Sequence, residues 1–285
     1  MSGSAAARWL LLAGLWSLQF IFMRMAVPVF GSPVVADCRA LLAALLLVPW
    51  TLWVARQSIA PLAHWKDHAA IGLVNNVLPF LLYAWAATVL PAGYLAVING
   101  TVPLWTAVIA APALGERLRA PRILGFALGI AGVSLIVELG PVALDGHTTL
   151  ASLAAVTAAA FWGWAGVLIK QRYGRLPPVA LAAGSIAFAG LVMLPALSLV
   201  PSPATWSFEA TAALLALGLL CSGVAYLPIF TLIREIGPAR TLSVGLAVPL
   251  LGILWGWLFL GEAVTPGMIG GAALVLAALA LVMKR

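Results

Sequence analysis

Charged side chains are scarce in this sequence: they make up 8% of its 285 residues, while 64% of the residues are hydrophobic. Soluble proteins carry roughly 25% charged residues. A surface with so few charges cannot face water over most of its area, which excludes an ordinary soluble domain. Because an apolar run of about 20 residues crosses a bilayer as a helix, the long apolar runs predict an all-α membrane protein.

Residues that commonly carry covalent or metal chemistry are also rare. The two cysteines, Cys38 and Cys221, lie in apolar runs, which argues against a disulfide framework. The sequence has no nucleotide-binding loop, no histidine within an apolar run and no nucleophile paired with a base. These absences argue against an ATP-driven pump and against a membrane-embedded enzyme, and they imply no metal ion and no cofactor.

An internal duplication organises the chain. The segment PLWTAVIAAPALGE, Pro103 to Glu116, recurs 146 residues later as PLLGILWGWLFLGE, Pro249 to Glu262. Further pairs at the same offset are Trp16 and Trp162, Arg24 and Lys170, Pro49 and Pro195, Gly72 and Gly218, and Gly125 and Gly271. We therefore divide the chain into a first repeat, residues 1–141, and a second repeat, residues 142–285.

Proline and glycine clusters divide the two repeats into ten predicted spans, five in each. The predicted spans cover residues 9–27, 34–54, 69–90, 93–114, 121–139, 150–170, 178–200, 211–234, 240–260 and 265–283. Each is long enough to cross the hydrocarbon core of a bilayer.

The positions of lysine and arginine predict the orientation of the spans. With the N-terminus in the cytoplasm, thirteen of the fifteen basic residues fall at cytoplasmic ends. We therefore expect both termini in the cytoplasm, and we interpret the basic residues as topology anchors rather than a nucleic-acid surface. Because each repeat has an odd number of spans, the second enters the membrane from the opposite side. Inverted repeats are typical of transporters whose halves exchange conformations.

Two motifs carry a resemblance to a known family: each first span is aromatic and ends in a basic residue, and each fourth span runs from proline to Gly-Glu. They read Leu15-Trp16-Ser17…Met23-Arg24, Phe161-Trp162-Gly163…Ile169-Lys170, Pro103…Leu114-Gly115-Glu116-Arg117 and Pro249…Leu260-Gly261-Glu262. Over nearly its whole length the chain resembles the EamA-type ten-helix exporters of the drug/metabolite transporter superfamily, and among them the aromatic amino-acid exporters of the YddG type.

The resemblance implies a central cavity lined by helices 1, 3, 4, 6, 8 and 9, with helices 5 and 10 behind it as scaffold. Small residues let helices approach closely. The fifth span contains Gly125-x-x-x-Gly129, and the tenth contains Gly267-x-x-x-Gly271. We therefore expect the fifth span to pack against the tenth.

Polar and deeply placed aromatic residues mark the predicted substrate path, because such residues usually face a cavity or the bundle interior. In the third span, Asn75, Pro79 and Tyr83 share a helix face. Alternatively, the amides hold helices together and the tryptophans only pack. The predicted substrate-binding residues are Trp16, Gln19, Asn75, Asn76, Pro79, Tyr83, Asn99, Trp105, Trp162, Trp164, Ser222 and Tyr226.

Three basic residues are predicted to act as gating charges. Arg24 and Arg39 lie within the outer ends of the first two spans, and Lys170 is the inverted counterpart of Arg24. One interpretation is that both arginines extend to the interface and that Arg39 pairs with Asp37 or Glu138. The other is that one of them holds a substrate carboxylate or locks an outer gate, with Lys170 at the inner gate.

These patterns together predict an alternating-access transporter in the bacterial inner membrane that exports small metabolites, namely amino acids with aromatic or other apolar side chains. No Asp or Glu lies near a predicted midplane, so we expect a facilitator or weak proton coupling. Efflux of aromatic cations such as methyl viologen is the alternative, and a membrane-embedded enzyme is a remote one. The expected partners are a small-molecule substrate and the lipid bilayer, with no nucleic acid.

Overall fold

The computed structural model describes residues 2–115, 120–139, 145–171, 176–198, 206–237, 241 and 243–283, and within them it contains helices and no strand. We number ten helices in chain order. They are α1 Gly3–Phe30, α2 Ser32–Val54, α3 Trp65–Ala86, α4 Ala92–Leu114, α5 Ala120–Glu138, α6 Gly146–Gln171, α7 Pro178–Leu197, α8 Phe208–Ile236, α9 Val244–Leu260 and α10 Pro266–Met283.

Seven of these helices, α1 to α4 and α6 to α8, are long and apolar enough to cross a membrane. The other three contain shorter apolar helical stretches, Ile123–Val137, Val244–Leu260 and Pro266–Val282. The prediction of an all-α membrane protein is confirmed. The inverted orientation and the cytoplasmic termini stay predictions.

The two repeats pack against each other reciprocally. The first helix of the first repeat, α1, contacts α8 and α9, the third and fourth helices of the second repeat. In the same way α6 contacts α3 and α4. The second helices, α2 and α7, contact each other. The first, third and fourth helices of both repeats therefore meet at the centre of the molecule.

The predicted contact between the fifth helices is confirmed. A Cβ atom placed on Gly125 of α5 would lie 2.9 Å from the carbonyl oxygen of Ala278 in α10, and one on Gly132 would lie 2.8 Å from the carbonyl oxygen of Gly271. Only glycine allows backbones this close. Helices α5 and α10 thus form a tight pair to one side of the central helices.

Both third helices change from α-helical to π-helical geometry part of the way along. In α3 the π-helical segment is Gly72–Val77, and in α8 it is Ala216–Val224. At the repeat offset, residues 72–77 correspond to 218–223, so the two segments coincide. Such segments are frequent at functional sites. The apolar pattern of the sequence does not predict this geometry.

Helix α4 is interrupted, although the sequence predicted one uninterrupted span over residues 93–114. It consists of Ala92–Asn99 and Val102–Leu114, with Gly100 and Thr101 between them. Pro103 has no N–H to donate to the carbonyl of Asn99, which explains the break. A Cβ atom on Gly100 would lie 2.9 Å from Cγ of Pro249 in α9, so the two repeats touch where α4 breaks.

Candidate functional site between the two repeats

Three aromatic rings from both repeats meet around Tyr83, and we call Phe20, Tyr83 and Trp162 the aromatic cluster. The Tyr83 ring centroid lies 4.9 Å from that of Trp162 and 6.0 Å from that of Phe20. Tyr83 is fully buried. Aromatic pairs prefer tilted or offset arrangements at these separations, and the planes of Tyr83 and Trp162 are tilted by 41°. The cluster joins α1 and α3 to α6 of the second repeat.

Hydrogen bonds fix the orientation of this cluster. The Trp162 indole Nε1 donates to the carbonyl oxygen of Asn75 at 2.9 Å, a group at the π-helical segment of α3. The Tyr83 hydroxyl donates to the carbonyl oxygen of Leu95 at 3.3 Å and also interacts with the side chain of Asn99. The polar edges of the two central rings are therefore held by α3 and α4.

A second cluster surrounds the guanidinium group of Arg39, and we call Gln19, Arg39, Phe80, Ser222 and Tyr226 the arginine cluster. Nε of Arg39 donates to Oγ of Ser222 at 2.6 Å, and Nη2 donates to Oε1 of Gln19 at 2.7 Å. Cζ of Arg39 lies 4.0 Å from the centroid of the Phe80 ring, within the range of a cation–π contact. Arg39 is only 5% exposed.

The neighbours of Arg39 are themselves held in place. Nε2 of Gln19 donates to the carbonyl oxygen of Trp16 at 2.7 Å, which leaves Oε1 as the acceptor for the guanidinium. The Ser222 hydroxyl donates to the carbonyl oxygen of Leu217 at 3.0 Å, so its lone pair faces Arg39. The two acceptors of the arginine cluster are thus oriented before any ligand binds.

The predicted ion pair between Arg39 and Asp37 is wrong. Asp37 is fully buried, and neither of its carboxylate oxygens has a hydrogen-bond partner in the structure. Residues two apart point to different faces of a helix, which explains why Asp37 does not reach Arg39 along α2. The side chain of Glu138, the other predicted partner, lies outside the described residues.

The two aromatic neighbours of Arg39, Phe80 and Tyr226, are repeat counterparts. At the repeat offset Phe80 corresponds to Tyr226, and Asn76 corresponds to Ser222. Tyr226 lies close enough to Arg39 to interact electrostatically with it and also interacts with the Asn75 side chain. The third helix of each repeat therefore brings one aromatic ring to Arg39.

A carboxylate connects the repeats at the predicted outer surface, and we call this contact the Glu262 connection. Oε1 of Glu262 accepts from the backbone N–H of Ala92 at 2.7 Å, and Oε2 accepts from that of Gly93 at 3.1 Å. These N–H groups begin α4, where a negative charge is favourable. Nε of Arg24 lies 4.0 Å from Oε1 of Glu262, and Nη1 of Arg24 donates to the carbonyl oxygen of Ala87 at 2.7 Å.

The inner counterpart of this connection lies largely outside the described residues. At the repeat offset Glu116 corresponds to Glu262, and residues 238–239 correspond to 92–93. Glu116 and residues 238–239 are not among the described residues. Lys170, the counterpart of Arg24, lies exposed near the end of α6.

Several predicted site residues lie apart from the two clusters. Trp164 is 42% exposed and stacks on Phe161 at a ring separation of 6.2 Å. Trp105 packs edge-on against Phe126 at 5.1 Å and lines an apolar cavity of about 470 Å³ between α4, α5 and α6. Pro79 is buried in α3. The predicted residues that the clusters and their direct contacts bring together are Trp16, Gln19, Asn75, Tyr83, Asn99, Trp162, Ser222 and Tyr226.

Four residues with prominent contacts were not among the predicted site residues: Phe80 of the arginine cluster, Phe20, Trp255 and Glu262. Phe20 follows Trp16 by four residues and so shares its helix face, a signal that could have identified it. Trp255 in α9 donates from Nε1 to Oγ of Ser17 at 2.8 Å. Glu262 was noticed as a repeated motif residue, and its recurrence in both repeats was the signal for a structural contact. Among the described residues no group of three or more His, Cys, Asp or Glu side chains is arranged to hold a metal ion.

The chain matches the model of the EamA-like transporter family twice, over residues 4–138 and 149–284. It is 24% identical over 266 residues to the uncharacterized transporter YoaV of Bacillus subtilis (strain 168), covering 92% of this chain and 90% of that protein. It is 29% identical over 259 residues to the threonine/homoserine exporter RhtA of Escherichia coli (strain K12), covering 88% and 81%. It is 28% identical over 207 residues to the probable terminal-alkyne amino-acid exporter of Streptantibioticus cattleyicolor, covering 72% and 68%.

A solved crystal structure has the same fold, with a TM-score of 0.68 at 19% sequence identity over 99% of this chain and 96% of its own. The family match spans both predicted repeats. It does not separate the YddG type from the rest of the family, so that subgroup stays a prediction.

Proposed function

The chain belongs to the EamA-like transporter family, and we propose that it exports amino acids with aromatic or other apolar side chains across the bacterial inner membrane. The observation that carries this proposal is the aromatic cluster. Trp162 and Tyr83 come from different repeats, and their ring centroids lie 4.9 Å apart in the centre of the molecule. A relative movement of the repeats would therefore change this contact directly.

The cluster suits a small amphipathic substrate. Its rings can stack on an apolar or aromatic side chain, and the backbone carbonyl of Asn75 and the side-chain amide of Asn99 adjoin it. Two of the relatives are amino-acid exporters by name, RhtA and the terminal-alkyne amino-acid exporter. These names agree with transport rather than catalysis.

We assign gating to the Glu262 connection. It joins the loop after α9 in the second repeat to the beginning of α4 in the first, and the predicted orientation places it outside. Alternating access requires the two repeats to separate on one side at a time. Separation of Glu262 from Ala92 would open the site outward, with Arg24 as the charge that favours reclosure. Lys170 has the corresponding role on the inner side.

Transport proceeds in this proposal without a carboxylate at the bilayer midplane. Asp37 lies five residues after the start of α2, about 8 Å along the helix at 1.5 Å per residue, so it is nearer to the outer end than to the middle. A buried guanidinium in the arginine cluster disfavours an aromatic cation such as methyl viologen, because like charges repel in a low-dielectric site.

Counterflow in proteoliposomes tests the substrate class. Vesicles loaded with an unlabelled compound are diluted into labelled phenylalanine, and the panel of loads contains aromatic, apolar and polar amino acids and methyl viologen. We expect uptake with aromatic and apolar amino acids, and none with methyl viologen. Exchange with the dication alone would replace amino-acid export with cation efflux. A separate run with an imposed pH gradient tests coupling, since uphill accumulation would contradict the facilitator.

A further inference from the structure

Arg39 is a buried cation whose hydrogen-bond and ring contacts are all with neutral side chains. Two of its three nitrogens are used, since Nε donates to Ser222 and Nη2 donates to Gln19. The third, Nη1, is buried and has no hydrogen-bond partner. Among the described residues no carboxylate forms a salt bridge with it. A buried charge without a counter-charge is costly, and intramembrane charges usually serve a substrate or ion.

The free group has a defined direction. The guanidinium is planar, so the bonds from Nε and Nη2 together with the Phe80 ring fix its plane. The N–H groups of Nη1 therefore point to one place rather than sweeping a volume. Planar guanidinium groups recognise carboxylates through charge-assisted hydrogen bonds.

A second unused donor lies on the same helix as Phe80. Nδ2 of Asn76 is buried and has no hydrogen-bond partner, while its Oδ1 accepts from Asn75 at 3.2 Å. Asn76 precedes Phe80 by one helical turn and is the repeat counterpart of Ser222. Buried donors without acceptors are rare in folded proteins, so two of them on residues of one region point to an absent acceptor.

The arginine and aromatic clusters are neighbours along α3. Phe80 belongs to the first and Tyr83 to the second, three residues or about 4.5 Å apart along the helix axis. Asn75 also bridges them, because its carbonyl oxygen accepts from Trp162 while its side chain interacts with Tyr226. A ligand with an anionic group near an apolar side chain matches this arrangement.

We propose that Nη1 of Arg39, assisted by the amide of Asn76, binds the carboxylate of the transported substrate. The carboxylate supplies the missing counter-charge, and the adjacent aromatic cluster receives the side chain. Arg39 thus makes a carboxylate a requirement for transport. This inference rests on the proposed function and specifies which chemical group its substrates must share.

Competition in the unaltered protein tests the requirement first. Counterflow of labelled phenylalanine is measured against phenylalanine, phenylalaninamide and phenethylamine, which share the ring and differ at the carboxylate. Sites built to hydrogen-bond a substrate group reject analogues that lack it, so we expect the amide and the amine to compete at least ~100-fold more weakly. Equal competition by all three would overturn the inference and leave amino-acid transport standing.

Substitution then assigns the requirement to Arg39. Loss of one charge-assisted hydrogen bond should raise the KM for phenylalanine roughly 10- to 100-fold in Arg39→Gln, with little change in kcat. Arg39→Lys keeps the charge without the planar donors, so its KM for phenylalanine should lie between those of Arg39→Gln and the unaltered protein. Arg8→Gln is the matched control, because Arg8 is an exposed arginine that pairs with Glu235.

The outcomes separate the inference from the function on which it rests. If Arg39→Gln weakens the binding of phenylalanine and of phenylalaninamide equally, Arg39 is a structural residue. The inference then fails, while the proposed function stands. If no amino acid exchanges in the unaltered protein, the proposed function fails and the inference fails with it. Should Arg39→Gln not fold, the same comparison is made with Arg39→Lys, whose KM must rise for phenylalanine and not for phenylalaninamide.

Discussion

The third helices of the two repeats, α3 and α8, share one backbone feature and differ in their side chains. Each contains a π-helical segment at corresponding positions, and each brings an aromatic ring to Arg39, Phe80 in one and Tyr226 in the other. The residue pair that holds Trp162, however, has no second copy: Asn75 and Tyr83 correspond to Cys221 and Ile229.

The second helices, α2 and α7, also differ in a side chain of the site, since Arg39 corresponds to Ser185. Packing is therefore shared by the repeats, whereas the side chains suited to recognition are concentrated in the first. A symmetric scaffold allows the repeats to exchange conformations, and an asymmetric set of side chains can fit one asymmetric substrate. Substitutions in the shared scaffold and in the unshared side chains should therefore have different effects.

The largest expected effect comes from the scaffold. Gly271→Leu should separate α10 from α5, because a Cβ atom there collides with the carbonyl oxygen and side chain of the facing helix, at Gly132 and Ile136. Overpacking of this kind costs about 1–3 kcal/mol or more. We expect a Tm several degrees lower and a loss of exchange for every substrate. Gly14→Ala is the control, since nothing lies within 4 Å of its Cβ position. Equal Tm values for Gly271→Leu and Gly14→Ala would contradict the close packing of α5 against α10.

An intermediate effect is expected at the Glu262 connection. Glu262→Gln removes the charge that accepts from Ala92 and Gly93 and faces Arg24, which should cost about 1.5–3 kcal/mol. The control is Glu235→Gln, which removes a shorter but exposed ion pair to Arg8 and should cost less than ~1 kcal/mol. Thermal unfolding in detergent compares the two. A larger loss of thermal stability in Glu235→Gln than in Glu262→Gln would mean that the Glu262 connection is not a stabilising contact.

The smallest effect should follow from making the two third helices alike. Tyr226→Phe gives α8 the residue that α3 has at Phe80, and it removes the hydroxyl that interacts with Asn75. Loss of one neutral hydrogen bond should raise the KM for the substrate about 2- to 10-fold with little change in Tm. An unchanged KM would show that the hydroxyl plays no part in the site.

The sequence sufficed for the helices and for the scaffold but not for how the repeats face each other. Apolar runs and breakers located the spans, and paired glycines predicted the contact of α5 with α10. The first helix extends beyond its predicted range of 9–27 at both ends, over Gly3–Phe30: it begins after the N-cap Ser2 and continues through Pro28. The break in α4 follows from Pro103, yet a proline in an apolar run does not always interrupt a helix: α9 continues through Pro249, which lies against Gly100 at the break in α4.

For the site, too, the sequence predicted individual residues but not the contacts between the repeats. Depth and polarity predicted Tyr83, Trp162 and Asn75 as residues of the substrate path, and the structure places them in contact. That contact joins positions from different repeats, which spacing along one chain does not reveal. Opposite charge predicted Asp37 or Glu138 as the partner of Arg39. The structure instead gives it Gln19 and Ser222, neutral residues brought by other helices.

The measurement that tests the central claim most directly is phenylalanine counterflow in Trp162→Ala beside Trp164→Ala. The two tryptophans lie two residues apart on α6, one in the aromatic cluster and one exposed. Loss of the cluster contact, worth about 1.4 kcal/mol, should slow exchange tenfold or more in Trp162→Ala, while Trp164→Ala should stay within about twofold of the unaltered protein. Equal rates in the two variants, or a larger loss in Trp164→Ala, would contradict a substrate site between the repeats.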